Sequence, residues 1–414
     1  MGVDSIYKQL DDSIPYRELS KDIERQIVEN QKNNWKNPYA FKEIDIVRRI
    51  KKQHDMATVI RPAFDRDIEK IMYLPAYNRY NDKTQVFSFL NNDDISRRGL
   101  HVQCVSKIAR NIGELLGLNT KLIEAMALGH DIGHTPFGHA GEKILSDVFH
   151  SQTGRYFNHN VHSVRVLDVL YKRNLSLQSL DGILCHNGEI AKQIFEYKPI
   201  YNFNQFDEKI ENCYVDQDYM MSCLPATLEA CVVRISDIIA YLGKDRIDAL
   251  QIGVIDNTCA FDSKYIGRTN TKIINNVIVD IIENSYGKNY IKLSKEVYED
   301  IVVAKNQNYE FIYSKEGMTY DDKLDLEDMI NKLYARFYDD LKKGDESSPI
   351  FKHHILSLTK NSNNLSKSIY LKEDPNQIVV DYLASMTDTY FMNVYEYYFP
   401  SDKKDIEFRG YFQL

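Results

Sequence analysis

The sequence predicts a mainly α protein. Apolar residues recur at three- and four-residue steps through most of the chain, alternating strand-like runs are scarce, and no internal repeat suggests a β solenoid or propeller. Taken in order, the segment from Gln31 to Lys52 is basic and polar, and reads as an arm or a peripheral helix. Val102, Val105, Ile108, Ala109, Ile112, Leu115 and Leu116 then define an amphipathic helix with His101 at its start. Leu122 to Leu128 is a second, more apolar helix that delivers His130-Asp131 at its C-terminal end. Gly133-His-Thr-Pro-Phe-Gly-His139 reads as a loop, because Gly and Pro interrupt it three times. A third helix covers Val161 to Tyr171, and a fourth, from Pro225 to about Leu250, carries Asp237. Beyond residue 260 come long charged helices, a loop near Gly344 to Pro349, and a helix after Pro375 repeating Ile378, Tyr382, Met386, Tyr390 and Val394. The best short strand candidate is Tyr309 to Ser314.

Composition narrows the function classes. With 414 residues, 43% of them hydrophobic and 12% aromatic, the chain can bury a large core, which excludes a disordered protein. A net charge of -8 argues against a surface broadly built for phosphate backbones, though not against a local basic pocket. No apolar run reaches membrane-spanning length, and Met1 to Ser20 lacks a signal-peptide core. The cysteines Cys104, Cys185, Cys213, Cys223, Cys231 and Cys259 form no CxxC pairs, which fits reduced thiols in the cytoplasm.

The candidate chemistry lies in the order His101, His130-Asp131, Asp237. Two imidazoles and two carboxylates suit a divalent cation of intermediate hardness. Asp237, Tyr241 and Asp245 are spaced i, i+4, i+8, so one helix face carries all three. The plainer alternative is a solvated helix edge, with Arg234 and Arg246 as ion-pair partners. His-Asp near a helix end can also simply cap it. The loop that follows changes the balance, because His134 and His139 there suit acid–base transfer or neutralisation of developing charge. His159 and His162 follow, so six of the eleven histidines fall between His130 and His162.

The run His130-Asp-Ile-Gly-His-Thr-Pro-Phe-Gly-His-Ala-Gly-Glu142 resembles the signature of the dGTPase-like deoxynucleoside triphosphate triphosphohydrolases, a branch of the HD-domain superfamily. Further blocks agree in order: Arg61-x-x-Phe64 with Asp67, Arg79 with Lys83-Thr-Gln-Val-Phe87, Arg98-Gly-Leu-His101, Phe157-Asn-His-Asn160 with Ser163, Asp237-x-x-x-Tyr241-x-x-x-Asp245, and Asp381-Tyr-Leu-Ala-Ser-Met-Thr-Asp388. The resemblance implies an HD-domain helical bundle with additional C-terminal helices and few short strands. It divides the chain into an arm at 1–57, a core at 58–255, and a helical region at 256–414 that packs on the core and carries an oligomer interface.

It further implies hydrolysis of a dNTP, dGTP by default, to the deoxynucleoside and tripolyphosphate. The metal ligands would be His101, His130, Asp131 and Asp237, holding Mn²⁺ or Mg²⁺, with Zn²⁺, Ni²⁺, Co²⁺ or Fe²⁺ as alternatives. His134 and His159, assisted by His139, would handle proton transfer and the α-phosphate. Arg98 would neutralise phosphate, Gln85 and Asp245 would take the 3′-hydroxyl, and Tyr241, Asn160 and Arg79 would complete the substrate contacts. A homo-tetramer or hexamer is expected, with a dNTP or single-stranded DNA as effector and no membrane partner.

Four positions depart from the family pattern: Asn78 and Lys70 where arginine is usual, His162 for glutamine, and Ser385 for glycine. His162 is read as a core or supporting histidine, and His186 as a substrate-side contact or a capped helix end. Competing functions are another HD-type phosphohydrolase, or a non-catalytic nucleotide sensor or single-strand binder.

Overall fold

The computed structural model describes residues 13–186, 192–257, 261–315, 319–361, 365–404, 406 and 408–411. Among the described residues, strands are confined to two-residue pieces. β1 (Leu90–Asn91) pairs in parallel with β4 (Arg409–Gly410), and β2 (Ile194–Phe195) pairs antiparallel with β3 (Ile291–Lys292). The basic stretch Gln31–Lys52 is neither a free arm nor a helix: only its first two residues belong to α1 (Lys21–Lys32), and turns with a 3₁₀ turn at Glu43–Asp45 make up the rest. Arg48 is tied 2.6 Å from Asp67, and Arg49 reaches both Asp168 and Asp207 at 2.7 Å.

After α2 (Ala63–Met72), the centre of the molecule is α3 (Arg98–Leu115), α4 (Thr120–Gly129) and, later in the chain, α9 (Leu228–Gln251), packed against one another. The periodic residues of α3 that predicted the helix, Val102 to Ile112, are its buried face. Asn119 caps α4 by accepting the Leu122 N–H, an interaction of roughly 1 kcal/mol. The helix stops at Gly129, so His130 and Asp131 emerge at its end as expected.

The turn that follows is shorter than expected, because α5 (Gly138–Thr153) already includes His139 in its first turn. Phe137 enters α5 in the left-handed region, φ 60°, which costs a non-glycine residue of order 1 kcal/mol or more. Three contacts hold it there: Phe89 and Phe391 pack on its ring at 5.1 and 5.2 Å, and its N–H donates to Asp388 Oδ1 at 3.0 Å. Asp388 Oδ2 also accepts from the Thr84 N–H and hydroxyl. Gly133 is required by close approach, since a Cβ there would collide with the backbone of His162 and Ser163.

α6 (His159–Val164) runs into a π-helical turn at Arg165–Leu170, and α7 (Leu177–Leu184) ends just before His186. Next comes α8 (Phe203–Val215), and beyond α9 lie α10 (Asn270–Ser285) and α11 (Lys295–Phe311). The strand expected at Tyr309–Ser314 is not formed; α11 runs through its first half and a 3₁₀ turn takes Tyr313–Lys315. The i, i+4 pair Asn308 and Ile312 is buried, and the Asn308 amide donates to Leu242 O at 2.9 Å, so helical spacing outweighs the short alternation. α12 (Tyr320–Lys343) opens on a capping box at Thr319 and Asp322 and closes on the left-handed Gly344. The single helix expected after Pro375 is two, α13 (Pro375–Ser385) and α14 (Asp388–Tyr398), because Thr387 starts a new helix by capping Tyr390 N–H.

Among the described residues, two large hydrophobic cores and a small one around Phe87, Leu90, Ile95, Ala249, Phe261 and Ile312 hold these layers. One large core joins residues between 68 and 223 to residues between 326 and 406; the second joins Ile27, Phe64 and the α3–α4 faces to α9, α10 and α11. Each core therefore draws on both sides of residue 255.

Candidate metal centre and active site

Three elements bring the four proposed ligands together: the first turn of α3 for His101, the end of α4 for His130 and Asp131, and the middle of α9 for Asp237. His101 Nε2 lies 2.9 Å from Asp237 Oδ1, and His130 Nε2 lies 3.9 Å from the same oxygen and 3.6 Å from Asp131 Oδ1. The orientation of His130 is fixed from behind, where its Nδ1–H donates to Ala127 O at 2.7 Å. That leaves Nε2, completely buried and without a hydrogen-bond partner, aimed into the cluster. A buried imine nitrogen so directed is what a metal ligand needs, and its carbonyl partner sets the tautomer. Arg98 completes the frame, since it is ion-paired to Asp131 Oδ2 and donates to Thr84 O at 3.1 Å. Burial pushes Asp237 up, but the hydrogen bond and charge of His101 outweigh it and bring the carboxyl to about 2. The carboxylates are thus ionised and the donor set fits a divalent ion.

Beside this cluster stands a second one, His134, His139, Glu142 and His159. Glu142 is its hub. It accepts from the His159 backbone N–H at 2.7 Å and from His159 Nδ1 at 2.8 Å, lies 3.2 Å from His139 Nδ1, and stands 3.8 Å from His134 Nε2. His134 stacks on His159 with ring centroids 4.5 Å apart, and neither of its ring nitrogens has a partner although both are buried. Burial, then the charges of Arg98 and His159, hold His134 far below the ordinary histidine range. Burial lowers His159 too, but Glu142 overcomes this and raises it. Lys83 supports the turn from below through His134 O and Ala384 O.

Both clusters face one cavity of about 410 Å³, lined among others by Gln85, Arg98, His101, Asp131, His134, His139, His159, Asn160, Asp237 and Tyr241. Gln85, His139 and Tyr241 also border a larger cavity of about 1120 Å³, where Asp245 lies. Asp245 accepts the Tyr313 hydroxyl at 2.7 Å, and burial, only partly offset by that bond, raises its pKa to about 7. The α9 stripe is therefore no solvated edge: Arg234 and Arg246 are themselves buried, Arg246 bonding Asn308 at 2.9 Å. Of the expected substrate residues, Arg79 alone is elsewhere. It lines a cavity of about 20 Å³ with Lys83, His162, His354 and Asp381. His162 belongs there as a core histidine, brought down to about 4 chiefly by burial.

One residue of the site, Glu142, was not assigned a role from sequence. Glu142 closes the His130–Glu142 run, three residues after His139, and that helical spacing is the signal that could have marked it. His186 fits both readings: its Nδ1–H donates to Ile183 O at 2.7 Å at the end of α7, and the residue enters the cavity beside Asp131 and His159, 3.8 and 3.1 Å away.

This arrangement defines the class as an HD-domain protein: residues 98–242, which carry all four candidate ligands, match the HD domain family. Similarity extends beyond that domain. The chain is 32% identical over 387 residues to the deoxyguanosinetriphosphate triphosphohydrolase-like protein of Caldanaerobacter subterraneus subsp. tengcongensis, covering 91% of this chain and 96% of that protein. Proteins of the same description from Desulfatibacillum aliphaticivorans (28% identity, 91% and 98% coverage) and Rickettsia felis (29%, 82% and 92%) are also similar. The chain belongs to the deoxyguanosinetriphosphate triphosphohydrolase-like family of HD-domain proteins. Among the described residues, no helix is long and apolar enough to cross a membrane.

Proposed function

We propose that this protein hydrolyses a deoxynucleoside triphosphate, dGTP first, to the deoxynucleoside and intact tripolyphosphate. One observation carries the reading: His101, Asp131 and Asp237, with His130 behind them, and the acid–base cluster of His134, Glu142 and His159 border the same cavity. A divalent ion, Mn²⁺ or Mg²⁺, held by that donor set supplies Lewis acidity at the α-phosphate and acidifies water.

The residues around it divide the remaining work. His134, neutral and with ring nitrogens left open, exchanges the proton, and Glu142 sets its surroundings. His159 meets the α-phosphate, and the largely exposed His139 assists at the rim. Arg98 fixes Asp131 and keeps a buried Nε without an acceptor for phosphate oxygen. Asn160 adds an amide at the same end. In the larger cavity, Gln85 Oε1 is buried without a donor, and with Asp245 it takes the sugar 3′-hydroxyl while Tyr241 packs against the ribose. Assembly into a tetramer or hexamer, response to a second dNTP or to single-stranded DNA, and a cytoplasmic location belong to the same proposal.

The test is a panel of the four dNTPs and GTP with Mn²⁺, resolved by ion-exchange chromatography. Tripolyphosphate and deoxynucleoside in equal amounts support the reading. Release of orthophosphate or pyrophosphate assigns the protein to another HD-type reaction, and no turnover of any nucleotide favours a sensor.

A further inference from the structure

Arg79 was expected among the substrate contacts and instead lines the small cavity of about 20 Å³, with Lys83, His162, His353, His354 and Asp381. Its guanidinium is partly buried, and among the described residues nothing accepts a hydrogen bond from it or pairs with its charge. Lys83 beside it is buried. The Lys83 ammonium donates to His134 O and Ala384 O, which uses two of its three N–H groups. Burial first, then the charges of Arg79 and Arg98, bring Lys83 down to about 7, as happens when cations face each other with no anion between them. His162 adds a buried ring whose Nε2 has no hydrogen-bond partner.

One carboxylate borders this cavity, Asp381, and it is already committed. It accepts from Arg165 Nε at 2.6 Å and Nη2 at 2.7 Å, from the Tyr370 hydroxyl at 2.8 Å and from the Gln377 amide at 3.0 Å. Its charge therefore answers that of Arg165, and the charges of Arg79 and Lys83 are left without a counter-charge. Buried charge is stable only when something of opposite sign joins it.

Size selects the counter-ion. About 20 Å³ is room for one water-sized particle, so a halide fits where a phosphate does not. A guanidinium, an ammonium and an imidazole N–H are all donors, the groups that an anion accepts from. His162, brought down to about 4 chiefly by burial, is neutral near pH ~7 and still has one N–H to give. His353 is exposed, so solvent reaches the cavity from that side.

We infer that this cavity binds one monovalent halide, chloride under ordinary salt conditions, between Arg79, Lys83 and His162. The ion balances the two cations, fixes the Arg79 side chain, and keeps Lys83 charged where it holds His134 O. It is a structural ligand beneath the catalytic turn, and it stands whether or not the substrate is a nucleotide.

The experiment compares melting temperatures of the full-length protein in sodium chloride and in sodium gluconate at equal pH and ionic strength. Anomalous scattering from crystals grown in sodium bromide locates the ion. The expected result is a melting temperature several degrees higher in chloride, because a ligand of the folded state alone stabilises it. One bromide should touch Arg79 and Lys83. The chloride increment should vanish in Arg79→Gln and largely survive in Arg79→Lys, which keeps the charge. Equal melting temperatures of the wild-type protein in the two salts overturn the inference, and so does a chloride increment unchanged in Arg79→Gln. A bromide peak without a chloride effect on stability is an adventitious ion only and overturns it as well. Should Arg79→Gln fail to fold, the wild-type crystals decide: a bromide between Arg79 and Lys83 upholds the site, and a water there overturns it.

Discussion

Two cavities in this protein are built from the same kinds of side chain and do opposite things with them. The larger brings together His101, His134, His139, His159 and His186 with Asp131, Asp237 and Arg98. The smaller brings together His162, His353 and His354 with Asp381, Arg79 and Lys83. In the smaller one the carboxylate and two of the imidazoles are mutually satisfied: Asp381 accepts from Arg165 at 2.6 Å and from Tyr370 at 2.8 Å, His354 Nε2 meets Tyr370 at 2.7 Å, and His353 meets Tyr390 at 2.6 Å. His162 Nε2 is left facing about 20 Å³, room for one water-sized particle. In the larger one, both nitrogens of His134 are buried without hydrogen-bond partners beside about 410 Å³ of space, and His130 Nε2 is left without one among the ligands behind it. Residue type alone does not distinguish a site from a polar core. Unspent donors and acceptors beside open volume do.

The comparison breaks hardest at the ligands. His130→Ala should abolish metal binding and turnover together, a loss of at least about a thousandfold, read by metal analysis and product chromatography. His134→Ala should lower turnover roughly a hundred- to a thousandfold while the bound metal stays, because it removes a preorganised group and not a ligand. Normal activity in that variant would remove His134 from the chemistry. Asp388→Ala should act between fold and site. It strands the Thr84 and Phe137 N–H groups in a buried place, at roughly 1–3 kcal/mol each, and frees the left-handed Phe137. A lower melting temperature and impaired turnover with metal affinity kept is the expected pattern.

A smaller effect separates Asp245 from the metal ligands. Its folded-state pKa of about 7 stands above the ordinary aspartate value of 3.8, so the native state holds this proton more tightly than the unfolded chain. Stability from this group therefore falls as pH rises between those two values, and the full cost is present above the higher one. Asp245→Asn should melt a few degrees above the parent on the alkaline side, with the curves converging near pH ~4. Smallest of all should be His162→Gln in the other cavity, which should change turnover by no more than a few-fold and leave metal binding intact.

Much of this was legible in the sequence, for physical reasons that differ by element. The helices α3, α4 and α9 announce themselves because one face of each meets a core, which forces the apolar period. The ligands and Asp237, Tyr241 and Asp245 follow from that period, since helical spacing fixes which side chains share a face. What the sequence did not yield depends on long-range contacts. Arg79 turns into the second cavity because α13 and the π-helical turn at 350–355 cover it. Glu142 and His186 gain their meaning from His159, 17 and 27 residues away. The C-terminal Met386-Thr387-Asp388 block was visible as a motif, but its work, clamping Thr84 and Phe137 more than 250 residues earlier, appears only once the chain is folded.

The central claim is that the two histidine–carboxylate clusters act together on the α-phosphate. Hydrolysis of dGTP in oxygen-labelled water, followed by mass spectrometry of both products, tests it most directly. Attack at the α-phosphorus places one labelled oxygen in tripolyphosphate and none in deoxyguanosine. Label in deoxyguanosine, or in released orthophosphate or pyrophosphate, would contradict the account.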